Sequence, residues 1–254
     1  MIAATPGAVP APPAHATRWL AYLKEEHRTS LPSVILYPDG RLYWQSQQNT
    51  VRDPQSWREG QVTPAALQKV KSLISQSRFF SREVEPRTGI TDAGTTGIGV
   101  SLGGKTRNVY AYALRTPTYE PRGSFRCSLS QMEDLLSSLP QTATHTHTLS
   151  TPAIRLYVGE PRDMPKPREL IIYPIGERFS GTPQPWPLTT PLRQTMKSLR
   201  VVTVVEGKGE VYKGADAQAI LRCLAQCRWV VYRNQRFPID WAPADVEMPA
   251  EEIE

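Results

Sequence analysis

The chain has no run of about 18 apolar residues, so its sequence offers no helix long enough to span a bilayer. Cysteine is scarce as well. Cys127, Cys223 and Cys227 are three in number, too few and too odd for a disulfide scaffold, and they leave the redox compartment open. Basic residues lack clustering. Lys and Arg total 30 against 24 Asp and Glu, a net charge of +6, but they are scattered singly, whereas nucleic-acid binding wants them gathered on one face with exposed aromatics. No nucleic-acid partner is expected. No Ser or Cys stands in a nucleophile-elbow setting, and no glycine-rich phosphate loop is present. Gly103-Gly104-Lys105-Thr106 resembles the end of such a loop without its earlier glycine, and it lies in a hairpin turn.

The residues after Met1, IAATPGAVPAPPAHAT, have neither the basic start nor the apolar stretch of a signal peptide. Their Ala/Pro-rich composition instead suits an extended tether behind a removed leader or a lipid-anchored residue. That reading expects an extracytoplasmic chain, in the cell envelope or secreted; with Met1 as the native start, the expectation is cytoplasmic.

What is present is material for a core. The chain has 254 residues, 39% of them hydrophobic, and 24 prolines that fall largely between short elements. This predicts an α+β fold of antiparallel β-hairpins packed with short helices, arranged as two similar lobes. The expected layout is a flexible lead at 1–16, a first lobe at 17–140, a linker at 141–152, a second lobe at 153–243 and an acidic tail at 244–254.

Within the first lobe, Trp19, Leu20 and Leu23 opposite Lys24 to Glu26 suggest a short amphipathic helix over 17–28. Pro38-Asp39-Gly40 predicts a hairpin turn between strands, and 46–61 reads as a loop anchored by Trp57. Thr63 before Pro64 is a helix start, with Leu67, Val70, Ile74 and Phe80 as its inward stripe. Ser130 and Glu133 form a capping-box pattern ahead of a helix that Pro140 stops. In the second lobe, strands are expected at 154–158, 170–173, 201–205 and 210–212, and helices at 190–199 and 216–228. A final hairpin turns on Asn234-Gln235.

The stretch 89–114, GITDAGTTGIGVSLGGKTRNVYAYAL, carries the most information. With Gly103-Gly104 as a two-residue turn, Tyr110 faces Gly97 and Tyr112 faces Thr95. Ile98, Val100, Leu102, Val109 and Ala111 then make an aliphatic face, and Gly97, Gly99 and Ser101 lie beneath two tyrosines. The Gly/Tyr face reads either as a platform for sugar or peptide or as ordinary tyrosine packing. Thr91, Asp92, Thr95 and Thr96 read either as cation or ligand groups or as residues that satisfy their own turn. Trp186, in the sequence PQPWPL, either docks on a partner or closes over its own core. Asp92, Thr95, Tyr110, Tyr112 and Trp186 are therefore the candidate interaction surface.

His27, His145 and His147 are bases in principle. Cys223 and Cys227 with His145 and His147 have metal-ligand chemistry, but Ile220, Cys223, Leu224 and Cys227 follow one helical stripe and read as core packing. No catalytic, cofactor-binding or metal-binding residue is assigned, and no cofactor is expected.

YPDGR at 37–41, GITDAGTT at 89–96, VYAYAL at 109–114, PWPL at 185–188 and the helix starting near Gly214-Ala215-Asp216 together resemble a family of uncharacterised bacterial lipoproteins and secreted proteins. The resemblance implies an extracytoplasmic home and supplies no activity. The sequence thus favours a non-enzymatic envelope or secreted protein with a binding or structural role, and a protein or cell-wall partner. An accessory subunit of a larger assembly, or a hydrolase-like or metal-dependent enzyme, are the alternatives.

Overall fold

The computed structural model describes residues 19–25, 31–46, 57–77, 79–80, 94–114, 124–149, 151–159, 162–163, 184–195, 197–199, 202–204, 209–225, 229–246 and 248. Their strands are β1 (Ala21–Glu25), β2 (Val34–Leu36), β3 (Arg41–Gln45), β4 (Trp57–Gln61), β5 (Thr95–Leu102), β6 (Lys105–Tyr112), β7 (Thr144–Thr148), β8 (Ala153–Val158), β9 (Arg162–Asp163), β10 (Gln184–Pro185), β11 (Lys197–Leu199), β12 (Val202–Val204), β13 (Glu210–Lys213), β14 (Trp229–Tyr232) and β15 (Gln235–Pro243). The helices are α1 (Pro64–Gln76), α2 (Phe125–Thr142) and α3 (Gly214–Leu224). The fold is α+β and mainly antiparallel. Among the described residues, one sheet has seven strands in the order β6-β5-β1-β2-β3-β4-β7, the second runs β10-β14-β15-β8-β13 with β9 on β15, and β11 pairs with β12.

Local chemistry explains the best-defined elements. Thr63 caps α1 by accepting the Ala66 N–H at 3.2 Å, and Pro64 fills the first helical position. Pro38-Asp39-Gly40 closes β2 onto β3 with Gly40 at φ +88°, a left-handed conformation that glycine adopts without a Cβ penalty. Gly103 and Gly104, at φ +59° and +77°, turn β5 into β6, and Leu102 faces Lys105. The paired residues run as expected, Gly97 with Tyr110 and Thr95 with Tyr112.

Several segments differ from the sequence reading. The stretch containing Trp19, Leu20 and Leu23 is strand β1, central in the first sheet between β2 and β5. It is buried on both faces, so it shows no polar alternation. Trp57 to Gln61 forms β4 within the expected loop, and Thr144 to Thr148, inside the expected linker, forms β7 at the sheet edge. Helix α2 begins at Ser124, whose Oγ accepts the Cys127 N–H at 3.1 Å, so Ser130 and Glu133 lie inside it and Pro140 falls in its last turn. No helix forms over 190–195, because Thr195 is held extended by the end of β8: its N–H reaches the Val158 carbonyl at 2.9 Å and its Oγ1 accepts the Val158 N–H at 2.8 Å. The last hairpin turns on Arg233-Asn234, both at positive φ, one residue before the expected pair. The strand expected at 170–173 lies outside the described residues.

Two apolar clusters follow from the alternation of the first sheet. Leu23, Leu36, Leu42, Ile98, Val100 and Ala111 meet Val70 and Ile74 of α1 and Leu129, Met132, Leu136 and Leu139 of α2. Tyr22, Ile35, Tyr43 and Trp57 point the other way and join Leu156, Tyr157, Ile239 and Trp241 of the second sheet and Ala217 and Ile220 of α3. The two halves of the chain therefore share a core. Trp57, 1% exposed, ties them directly through an Nε1 hydrogen bond to the Trp241 carbonyl at 2.9 Å. Among the described residues no helix is long and apolar enough to cross a membrane.

Candidate functional site

The Gly/Tyr face of β5 and β6 is largely covered by its own sheet. A Cβ at Gly99 would lie 1.9 Å from the ring of Tyr22, and one at Gly97 would lie 3.0 Å from the ring of Tyr110. Lys24, cross-strand from Gly97, is buried, as is Thr95. Tyr110 and Tyr112 are half-buried. Tyr112 gives its carbonyl to the buried Arg126 Nη2 at 3.2 Å, and the same nitrogen also donates to the Ala113 carbonyl, where the chain turns at φ +54°. Asp92 lies outside the described residues.

Trp186 faces inward. Its ring is buried edge-on against Tyr212 with centroids 6.1 Å apart, and its Nε1 donates to the Thr190 carbonyl at 2.8 Å. This is closure over the chain's own core, the second of the two readings that the PQPWPL sequence offered. Burial pushes the Tyr212 hydroxyl upward, and its 2.9 Å bond to Glu210 adds to the shift.

The histidines and cysteines separate. Cys223, on the half-buried side of α3, donates to the Pro185 carbonyl at 3.8 Å, whereas His145 and His147 lie on β7. Cys227 and His27 lie outside the described residues. Among the described residues no three His, Cys, Asp or Glu side chains stand together as a metal site.

One polar cluster was not legible beforehand. On the first sheet, the Tyr43 hydroxyl of β3 donates to Glu59 Oε1 of β4 at 3.1 Å, and His147 Nε2 of β7 lies 3.4 Å from Glu59 Oε2. Arg41 stands over the Tyr37 ring at 5.2 Å and pairs with Asp39 at 2.7 Å. Burial, reinforced by the negative Glu59, pushes the Tyr43 hydroxyl up to about 12, so it remains a phenol at neutral pH.

A groove lies between the outward sides of two helices. Lys69, Ser72, Leu73 and Gln76 of α1 face Gln131, Asp134, Leu135 and Ser138 of α2 across an open groove of about 510 Å³. Each helix contributes residues at i, i+3, i+4 and i+7, the spacing of one helical face. Each stripe places one leucine among polar side chains. The groove therefore has an apolar floor at Leu73 and Leu135, amides at Gln76 and Gln131, hydroxyls at Ser72 and Ser138, and opposite charges at Lys69 and Asp134. The repeated spacing was the available sequence signal. It was hidden because helix reading follows the inward stripe and treats the remaining face as solvated.

No family model matches the chain, and no curated protein and no solved structure is significantly similar to it.

Proposed function

We propose that the chain is a non-enzymatic binding protein of the cell envelope or secreted space, and that the α1–α2 groove receives an extended polypeptide segment. The facing stripes carry this reading. Two leucines supply apolar contact, while the glutamine amides and serine hydroxyls donate and accept hydrogen bonds of the kind a peptide backbone offers. Lys69 and Asp134 give the groove opposite charges with which to orient a segment. The Ala/Pro-rich N-terminal composition and the resemblance to uncharacterised secreted proteins support the extracytoplasmic placement.

A displayed random-peptide library panned on the full chain tests the proposal, with Ser138→Trp used to fill the groove. The expected result is a set of selected peptides that lose at least about tenfold in affinity, roughly 1.4 kcal/mol, against the S138W protein. Peptides that bind both proteins equally, or a selection that yields none, would overturn it.

A further inference from the structure

Helices α1 and α2 run antiparallel along their groove. At one end the ring of Phe79, just beyond α1, stands 5.6 Å from that of Phe125 at the start of α2. At the other, Thr144 after α2 donates its Oγ1 to the Gln61 carbonyl at 3.1 Å, close to the start of α1. Gln76 and Gln131 therefore share one end of the groove, Lys69 and Ser138 share the other, and Asp134 lies between Gln131 and Ser138 on the α2 wall.

The two charges stand on opposite walls of one concavity, and both are exposed. Among the described residues neither makes an ion pair, with the other or elsewhere. An uncharged segment leaves both to water, and a segment of single sign meets repulsion at one wall. One acid and one base satisfy both. Each stripe spans a rise of about 10 Å on its helix, a length that about three residues of extended chain cover, so the acid and the base must lie within about three positions of each other. The half-buried Leu73 lies one turn from Lys69, and the half-buried Leu135 is next to Asp134. An apolar side chain therefore accompanies the pair.

We infer that the segment bound between α1 and α2 is of mixed charge: an acidic side chain set against Lys69, a basic one against Asp134 within about three positions of it, and an apolar residue over Leu73 and Leu135. The inference rests on the groove receiving an extended polypeptide. The parts of the groove then do different work. Gln76 and Gln131 carry amides that can bond any peptide backbone and read no side chain, whereas Lys69 and Asp134 choose among segments. Doubly acidic and doubly basic segments are rejected.

An array of octapeptides binding the full chain at low ionic strength tests this. The peptides are acetylated and amidated, so their ends carry no charge, and share an Ala/Leu/Ser background. One set places Glu and Lys one, two or three positions apart in either order; Glu/Glu, Lys/Lys and Gln/Gln counterparts complete it. The tightest mixed-charge peptides should bind about fivefold more tightly than their Gln/Gln counterparts, the scale of exposed ion pairs. Lys69→Glu should move the preference to Lys/Lys peptides, and Asp134→Lys should move it to Glu/Glu peptides. Both residues are exposed, so neither change removes core packing. Gln/Gln peptides that bind as well as mixed ones, or a preference that K69E and D134K leave unmoved, would overturn the inference. If those peptides are still lost on S138W, the groove keeps its role as a peptide site and only its charge selection fails. Peptides that bind the S138W protein equally, or an array with no binder, would overturn both.

Discussion

The seven-stranded sheet ends in two edges built on different principles. At one, β6 returns from β5 through Gly103-Gly104 and keeps an unbroken register over eight pairs. At the other, β7 arrives only after α1, the β5–β6 hairpin and α2, and its register shifts opposite Gly60. The first edge is fixed by turn chemistry and by an apolar face that allows no slip of one residue. The second has no buried face to specify it, and its alignment depends on backbone pairing and the contacts around Glu59. An edge can thus be secured by local sequence or by distant polar partners, and only the first leaves a pattern in the chain.

The sharpest test of this contrast is truncation on each side. Ile98→Ala removes a fully buried side chain between the sheet and its helices and is expected to cost about 2 to 5 kcal/mol in chemical denaturation. Thr146→Ala on exposed β7 is expected to stay within about 0.5 kcal/mol. Similar costs would mean that β7 is specified by packing after all.

The same distinction explains what was legible. The β5–β6 pairing, the Asp-Gly turn and the Thr63 cap rest on residues adjacent in sequence whose chemistry admits few conformations. Strand β1 failed because burial on both faces puts Leu20, Tyr22 and Leu23 inside together, which erases the two-residue period and leaves a spacing that imitates a helix. Strand β7 failed for the opposite reason: an edge exposed throughout keeps Thr and His, which read as a linker. The groove and the Glu59 cluster both depend on pairs of elements far apart in the chain, Leu73 with Leu135 and Tyr43 with His147. No local pattern announces either pairing.

Adding one methyl at two glycines sharpens the comparison further. At Gly99 a Cβ lands 1.9 Å from Tyr22, whose ring is fully buried and has no room to retreat. Gly99→Ala is expected to destabilise by roughly 1 to 3 kcal/mol, as overpacking does. At Gly60 the nearest atoms, on Ala143, Thr144 and Thr146, are 3.2 Å away. Exposed β7 can yield by a few tenths of an ångström, so thermal denaturation should show the smaller loss for Gly60→Ala. A larger loss at Gly60 would break the contrast.

His145 carries the bulge at φ +52°, where an L side chain is strained and glycine is not. His145→Gly should raise stability by roughly 1 kcal/mol, read as a higher denaturation midpoint with an unchanged slope. Gly103→Ala, at φ +59° in the other edge's turn, should lower it by a similar amount. The opposite signs follow from one backbone preference: the hairpin edge already holds the residue its turn requires, and the bulged edge does not.

The smallest expected effect concerns Tyr43, where burial and charge are separable. Burial is the larger cause of its upward shift to about 12, and Glu59 the next. Glu59→Gln removes the charge, keeps an acceptor and leaves the ring buried, so the phenol should titrate lower than in the parent chain but still above the ordinary value of about 10. The sign for stability follows. Folding favours the neutral phenol, so the contribution is complete below pH 10 and is lost as pH rises from there through about 12. Ring-carbon NMR of Tyr43 against pH reads the shift directly. An E59Q midpoint at the ordinary tyrosine value would make the charge, and not the burial of Tyr43 against the second sheet, the dominant cause. An unchanged midpoint would remove Glu59 from the account and weaken the case that polar contacts hold β7.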